Sequence, residues 1–149
     1  MGGICGAIYK KAGYSNLNEA CRKIKTPLKD GDAVLTLAFD IKNAKYIIHA
    51  VGPNFSYTPN AFNELFDAYY NSLLLVKDNN LHSIAFPLIS AGIYGGHLEN
   101  PAAVSTKQCI IAYGRLRPQP NQLKQQKKQT PLEIVCQNSI ILLRALTHT

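Results

Sequence analysis

Ser83-Ile84-Ala85-Phe86-Pro87-Leu88-Ile89-Ser90-Ala91-Gly92-Ile93-Tyr94-Gly95-Gly96 is the stretch on which the fold turns. Its first seven residues form a nearly continuous apolar run, the pattern of a strand buried on both faces, and sheets covered by helices are where such strands occur. The next seven carry three glycines around an aromatic. Glycine permits backbone torsions that other residues avoid and leaves room for a ligand to approach the chain. A strand that runs into a glycine loop and then into a helix sets the loop at the carboxyl edge of an α/β sheet, where ligands sit. That following helix should begin at Pro101, a residue tolerated in a first turn, and extend to about Tyr113.

Upstream, the segment Asn60 to Val76 places Phe62, Leu65, Phe66, Tyr69, Leu73 and Val76 on one helical stripe, ended by Asp78-Asn79-Asn80. The stripe reads as core rather than as a cofactor box. Ala33 to Leu37 and Lys45 to Val51 are rich in β-branched and aromatic residues and predict two strands, the second closed by Gly52-Pro53-Asn54. Leu17, Ala20, Cys21 and Ile24 recur at helical spacing, so a short helix is expected with Ser15 or Asn16 as its cap and Pro27 as its stop. The opening Gly2-Gly3-Ile4-Cys5-Gly6 is too glycine-rich to start a helix. It predicts a loop, then a helix from Ala7 to Ala12 ended by Gly13. On its own this opening is either a structural turn or a phosphate loop. Strands alternating with helices imply an α/β layer structure with a largely parallel sheet.

At 149 residues, with 46% hydrophobic and 17% charged residues, the chain has material for one core and lies outside the composition of disordered proteins. No apolar stretch is long enough to span a membrane, and the N-terminus has no signal-peptide pattern, so a cytoplasmic chain is expected. Cys5, Cys21, Cys109 and Cys136 lack the paired spacing of a zinc site or a disulfide scaffold and read as reduced thiols. The net charge of +7 is concentrated: Arg115, Arg117, Lys124, Lys127 and Lys128 follow one another with no acidic residue between them. The composition therefore divides into a core at 1–113, a polar basic linker or insertion at 114–131, and 132–149 with a possible last strand (Leu132 to Cys136) and helix (Ser139 to Leu146). The basic stretch opens a second function class, nucleic-acid binding through counterion release. It has no interleaved aromatics to stack bases, which ranks that reading last.

Three runs carry a family resemblance: Gly2-Gly-Ile-Cys-Gly-Ala-Ile-Tyr-Lys-Lys-Ala-Gly13, Lys45-Tyr-Ile-Ile-His-Ala-Val-Gly-Pro53, and Ile84-Ala-Phe-Pro-Leu-Ile-Ser-Ala-Gly-Ile-Tyr-Gly95. In this order they resemble the first phosphate loop, central strand and second loop of the bacterial, O-acetyl-ADP-ribose deacetylase-like branch of the macrodomain family, over residues 2 to about 113. The resemblance implies a three-layer α/β/α fold with a mixed, largely parallel central sheet, here lacking the first strands. It also implies binding of ADP-ribose, an ADP-ribosylated protein or O-acetyl-ADP-ribose, with hydrolysis of the ADP-ribosyl or acetyl group as the associated activity. The backbone of Gly2, Gly3, Ile4 and Cys5 would lie against the proximal ribose and diphosphate. Ser90, Ala91, Gly92, Ile93, Tyr94 and Gly95 would close over the diphosphate, with Tyr94 also near the distal ribose. Members of the family carry adenine- and ribose-binding groups ahead of the first loop, and none precedes Met1, so a non-enzymatic binder or inactive fragment is the alternative.

Side chains suited to chemistry have plainer readings. His49 lies within an apolar strand and is expected to be a satisfied core histidine. Cys5 sits where helix N–H groups would favour a thiolate, yet no base accompanies it. Asp30-Gly31-Asp32 reads as a solvated turn rather than a metal site, and His82, His97 and His148 as surface residues. No cofactor and no metal is expected, and the catalytic residues stay unassigned.

Overall fold

The computed structural model describes residues 3–25, 27–117 and 133–136; of residues 3–5 and 133–136 only the backbone is described. The elements in chain order are α1 (Gly3–Ala12), α2 (Tyr14–Arg22), β1 (Ala33–Leu37), β2 (Tyr46–Ala50), α3 (Phe62–Asp78), β3 (Ser83–Phe86), a short 3₁₀ turn at Ile93–Gly95, α4 (Pro101–Leu116) and β4 (Glu133–Cys136).

The described ladders are two. β1 and β2 pair antiparallel, with Val34 opposite His49 and Leu35 opposite Ile48. β3 and β4 pair parallel, with Ser83 opposite Glu133 and Phe86 opposite Cys136. Both senses are therefore present, as a mixed sheet requires, and no hydrogen-bonded ladder joins the two pairs among the described residues. Adjacent strand residues point to opposite faces, and β2 shows what that does to the core. Ile48 enters a cluster with Leu65, Tyr69, Leu73 and Val76 of α3 and Cys109 and Ala112 of α4. Its neighbour Ile47 enters a second cluster with Ala12 of α1, Leu17 of α2, and Ala38 and Ile41. Helices thus cover both faces, α1 and α2 on one side and α3 and α4 on the other, which is the three-layer α/β/α arrangement.

Several boundaries differ from the sequence reading, each for a local reason. The apolar run from Ser83 leaves the strand after Phe86, because Pro87 has no N–H to donate to a ladder. α1 starts at Gly3 and not at Ala7, so the glycine-rich opening is helical. A first turn needs no intrahelical N–H bonds, which lowers the demand on those glycines. α2 takes Gly13 as its N-cap, at φ 95°, and uses no side-chain cap, so neither Ser15 nor Asn16 serves. α3 starts at Phe62 and ends at Asp78, with Asn79 as its C-cap and Asn80 in the left-handed region at φ 52°. α4 continues through Leu116, three residues past the expected end, and its Arg115 guanidinium lies 4.6 Å from the centre of the Phe66 ring. Asn100 caps α4 by accepting from the Ala103 N–H at 3.2 Å. The remainder of the basic 114–131 stretch, from residue 118, and the expected 139–146 helix lie outside the described residues, whereas the expected strand near 132–136 is present as β4.

Candidate functional site

The loop after β3 is fixed from beneath by a ring of buried hydrogen bonds. The Ile89 N–H donates to Tyr69 Oη at 3.0 Å. Ser105 Oγ donates to the Ile89 carbonyl at 2.6 Å and lies 2.6 Å from Tyr69 Oη. Since the serine hydrogen is committed to Ile89, Tyr69 donates to Ser105 in that last contact, and the ring closes on itself. One residue of the loop is thereby tied by both backbone groups to α3 and α4. Tyr69 belongs to the apolar stripe read from the sequence, but its supporting role was missed. The available signal was a tyrosine on an otherwise hydrocarbon stripe, since a buried phenol needs a polar partner.

From the other side the loop rests on the turn after β2. Ser90, at φ 59°, donates its hydroxyl to the Pro53 carbonyl at 2.6 Å. The Phe55 N–H donates to the Tyr94 carbonyl at 2.8 Å. The approach is close enough that a Cβ on Gly52 would lie 2.5 Å from the Ile89 side chain and 2.7 Å from Ser90 Oγ. Pro53 and Phe55 are therefore part of the site's frame, although the sequence marked this turn only as the end of a strand.

Within the loop, Ala91 N–H bonds the Leu88 carbonyl, Gly95 N–H the Gly92 carbonyl and Gly96 N–H the Ile93 carbonyl. The N–H groups of Gly92, Ile93 and Tyr94 have no such acceptor among the described residues. Three neighbouring amides without a protein acceptor suit an oxygen-rich anion, as backbone nests do elsewhere. Space for one exists, because nothing lies within 4 Å of the place a Gly92 Cβ would occupy. Gly95, by contrast, is buried against Pro101 and acts as a packing residue.

Of the first set of expected ligand residues, Gly2 lies outside the described residues, and Gly3, Ile4 and Cys5 form the first turn of α1. The correction from loop to helix leaves the chemistry open, since the leading N–H groups of a helix have no intrahelical partner and favour anions. No hydrogen bond among the described residues joins this turn to Ser90–Gly95.

The residues weighed and set aside as chemical groups are engaged in structure. His49 Nε2 lies 2.9 Å from Thr36 Oγ1 across the β1–β2 pair. Thr36 directs its hydrogen to the Leu37 carbonyl, so the imidazole is the donor to Thr36. Burial pushes the His49 pKa below 6.5. In the Asp30-Gly31-Asp32 turn, Gly31 at φ 92° donates to the Val51 carbonyl and Asp32 accepts from the Lys29 N–H. No group of three or more potential metal-ligating side chains occurs among the described residues. His97 is exposed and His82 half-buried. Among the described residues no helix is long and apolar enough to cross a membrane. A cavity of about 310 Å³ lies elsewhere, lined by Leu28, Val34, Leu74, Leu75 and Asp78 among others. It shares no residue with either glycine-bearing segment.

The fold is that of an α/β protein with a glycine-bearing loop after β3 whose Gly92, Ile93 and Tyr94 amides have no acceptor among the described residues. The family model described as the Macro domain matches residues 1–105, and the chain belongs to the macrodomain family. It is 42% identical over 110 residues to an O-acetyl-ADP-ribose deacetylase of Escherichia coli, covering 71% of this chain and 61% of that protein. It is 46% identical over 105 residues to the mouse ADP-ribose glycohydrolase MACROD2, covering 69% of this chain and 21% of the other. Among solved structures it is similar to a mutant macrodomain of Oceanobacillus iheyensis with ADPR, with a TM-score of 0.71 and 31% identity over 93% of this chain and 71% of that one. The chain spans less than two thirds of the length of both named enzymes.

Proposed function

We propose that this chain binds ADP-ribose or its derivatives, with the diphosphate held by the backbone of Gly92, Ile93 and Tyr94 and by the first turn of α1. The observation that carries this reading is the set of three loop amides without an acceptor, on a loop whose base is locked by Tyr69 and Ser105. A preorganised donor set costs little ordering free energy on binding, which favours a ligand rich in acceptor oxygens. Ser90, Ala91 and Gly95 support the loop rather than the ligand in this reading, Ser90 through Pro53 and Gly95 through Pro101.

Hydrolysis of an ADP-ribosyl or acetyl ester linkage, the activity that the relatives' names suggest, is the enzymatic extension of the proposal, and a binder without turnover is its alternative. A cytoplasmic setting fits the Cys21 thiol, which takes part in no disulfide among the described residues. Nucleic-acid binding is the lesser reading, since Arg115 is already engaged over the Phe66 ring.

Calorimetric titration with ADP-ribose, and with AMP as the control lacking the diphosphate, tests the reading. Saturable binding of ADP-ribose with AMP at least tenfold weaker is expected. Gly92→Ala, whose added methyl meets no protein atom, should weaken ADP-ribose by a similar factor while leaving the melting temperature in place. Equal affinity for the two ligands, or full affinity in the variant, would refute the loop assignment.

A further inference from the structure

The cavity of about 310 Å³ that lies away from the glycine loops is formed between the turn leading into β1 and one face of α3. Its floor is hydrocarbon, from Leu74 and Leu75 of α3 with Leu28 and Val34 beside them. Its charged lining has one sign: Asp32 and Asp78 supply carboxylates, and none of the lining residues is Lys, Arg or His, in a chain whose net charge is +7. The turn is fixed against the helix. Asn71 Nδ2 donates to the Gly31 carbonyl at 2.8 Å, and Gly31, at φ 92°, packs so closely that a Cβ there would lie 2.9 Å from the Asp67 Cβ. Asp32 closes the same turn by accepting from the Lys29 N–H at 2.8 Å through Oδ2, which leaves Oδ1 as an acceptor for a ligand. Asn71, with its nitrogen on Gly31, likewise offers its carbonyl oxygen. The other carboxylate is distant from these two. Asp78 is the last residue of α3, seven residues beyond Asn71. At 1.5 Å per residue that is about 10 Å of helix, with Leu74 and Leu75 between. The carbonyls that end a helix add negative potential at the Asp78 end.

We propose that this cavity binds an aliphatic diamine or polyamine, with one ammonium at Asp32 and Asn71, a second at Asp78, and the methylenes between them laid on Leu74 and Leu75. Other ligand classes fit the lining poorly. An anion meets two carboxylates and no cation. A metal ion needs oxygens that converge on one point, and these carboxylates stand at opposite ends of an apolar floor. A neutral apolar ligand would take both carboxylates out of water without pairing them, which is costly. Two positive charges set apart by a hydrocarbon chain answer every part of the lining at once. The net charge of +7 repels such a cation from the rest of the surface, so binding would mark this place rather than a general field. The cavity shares no residue with the glycine-bearing segments, and the proposal stands apart from the reading of the nucleotide site.

The test titrates the full, isotope-labelled chain with diaminoheptane, diaminopropane and heptylamine, following backbone amide shifts by NMR at low ionic strength. Diaminoheptane, whose nitrogens stand about as far apart as the two carboxylates, should bind saturably and move amides within 28–34 and 71–78. Diaminopropane has the charge without the span, and heptylamine the hydrocarbon with one charge, so both should bind more weakly. Asp78→Asn should weaken diaminoheptane about three- to fivefold, the scale of one partly exposed ion pair. Asp78 is exposed at a helix end, so this variant keeps the fold. Asp32→Asn retains an oxygen for the Lys29 N–H and should weaken binding by a similar factor. Unchanged affinity in both variants, shifts centred on other carboxylates such as Glu19 or Glu99, equal affinity for the three amines, or no binding of diaminoheptane would each overturn the proposal.

Discussion

Replacing Tyr69 by Phe removes one oxygen from the ring that ties the loop to the helices. Ile89, Tyr69 and Ser105 are all buried, so no water is at hand to substitute. Without the phenol, the Ile89 N–H loses its acceptor, and a buried orphaned donor costs about 1–3 kcal/mol. Ser105 keeps its bond to the Ile89 carbonyl but loses the one it accepts, a net change of about 1 kcal/mol. Packing is nearly conserved, since the ring and its edge-on contact with Phe86, 5.1 Å between centres, remain. The expected loss is therefore about 2–4 kcal/mol, or about 5–15 °C in melting temperature for a domain of this size. Urea denaturation monitored by tyrosine fluorescence and circular dichroism measures it. A cycle with Ser105→Ala should return a coupling of about 1 kcal/mol between the two positions. A Tyr69→Phe loss below about 0.5 kcal/mol, on the scale of neutral surface changes, would show that the ring is not what fixes the loop.

Two further outcomes follow from the same geometry. Burial lowers the His49 pKa below the unfolded value of 6.5. In the window between the two values the unfolded chain binds more protons than the folded one, so the contribution is whole above pH 6.5 and is lost as pH falls through the folded value. Stability measured from pH 7.5 down to 5 should decline, and His49→Gln should flatten that slope; a slope unchanged in the variant would exonerate His49. Among the glycines, Gly96→Ala places a methyl 2.6 Å from the Ser56 nitrogen at φ 56° and should cost more than about 2 kcal/mol, whereas Gly114→Ala meets nothing within 4 Å and should gain about 0.5–1 kcal/mol. Thermal melts of the two variants that moved the same way would contradict this.

What the sequence disclosed was what period and breakers disclose. β1 was legible to the residue, because Ala33 to Leu37 is bounded on both sides by turn formers and its antiparallel partner is nearby. α3 was legible through six residues on one stripe, and the loop at Ser90 through its position after an apolar run. The start of α1 was not, since propensity penalises Gly3 and Gly6 while a helix terminus bears that penalty lightly. Capping of α2 by Gly13 instead of Ser15 or Asn16 depends on a torsion of 95° that no residue pattern announces. The frame of the site was the hardest to see. Ser105 and Tyr69 lie 36 residues apart, and Ser90 and Pro53 lie 37 apart, so their meetings belong to the packing of layers rather than to any local motif.

The two ladders close very different lengths of chain. β1 and β2 are joined by residues 38–45, while β3 waits for β4 across residues 87–132, a connection roughly six times longer. Closing the longer one costs about 1.6 kcal/mol more by chain statistics, and pairings of that span form late in folding. During synthesis the hairpin and α3 therefore assemble while β3 still lacks the strand it pairs with. The glycine loop follows β3, yet its anchors, Tyr69 and Ser105, emerge from the ribosome before Glu133 does. The order of the chain thus lets the loop settle on its helices first, before β4 pairs with β3.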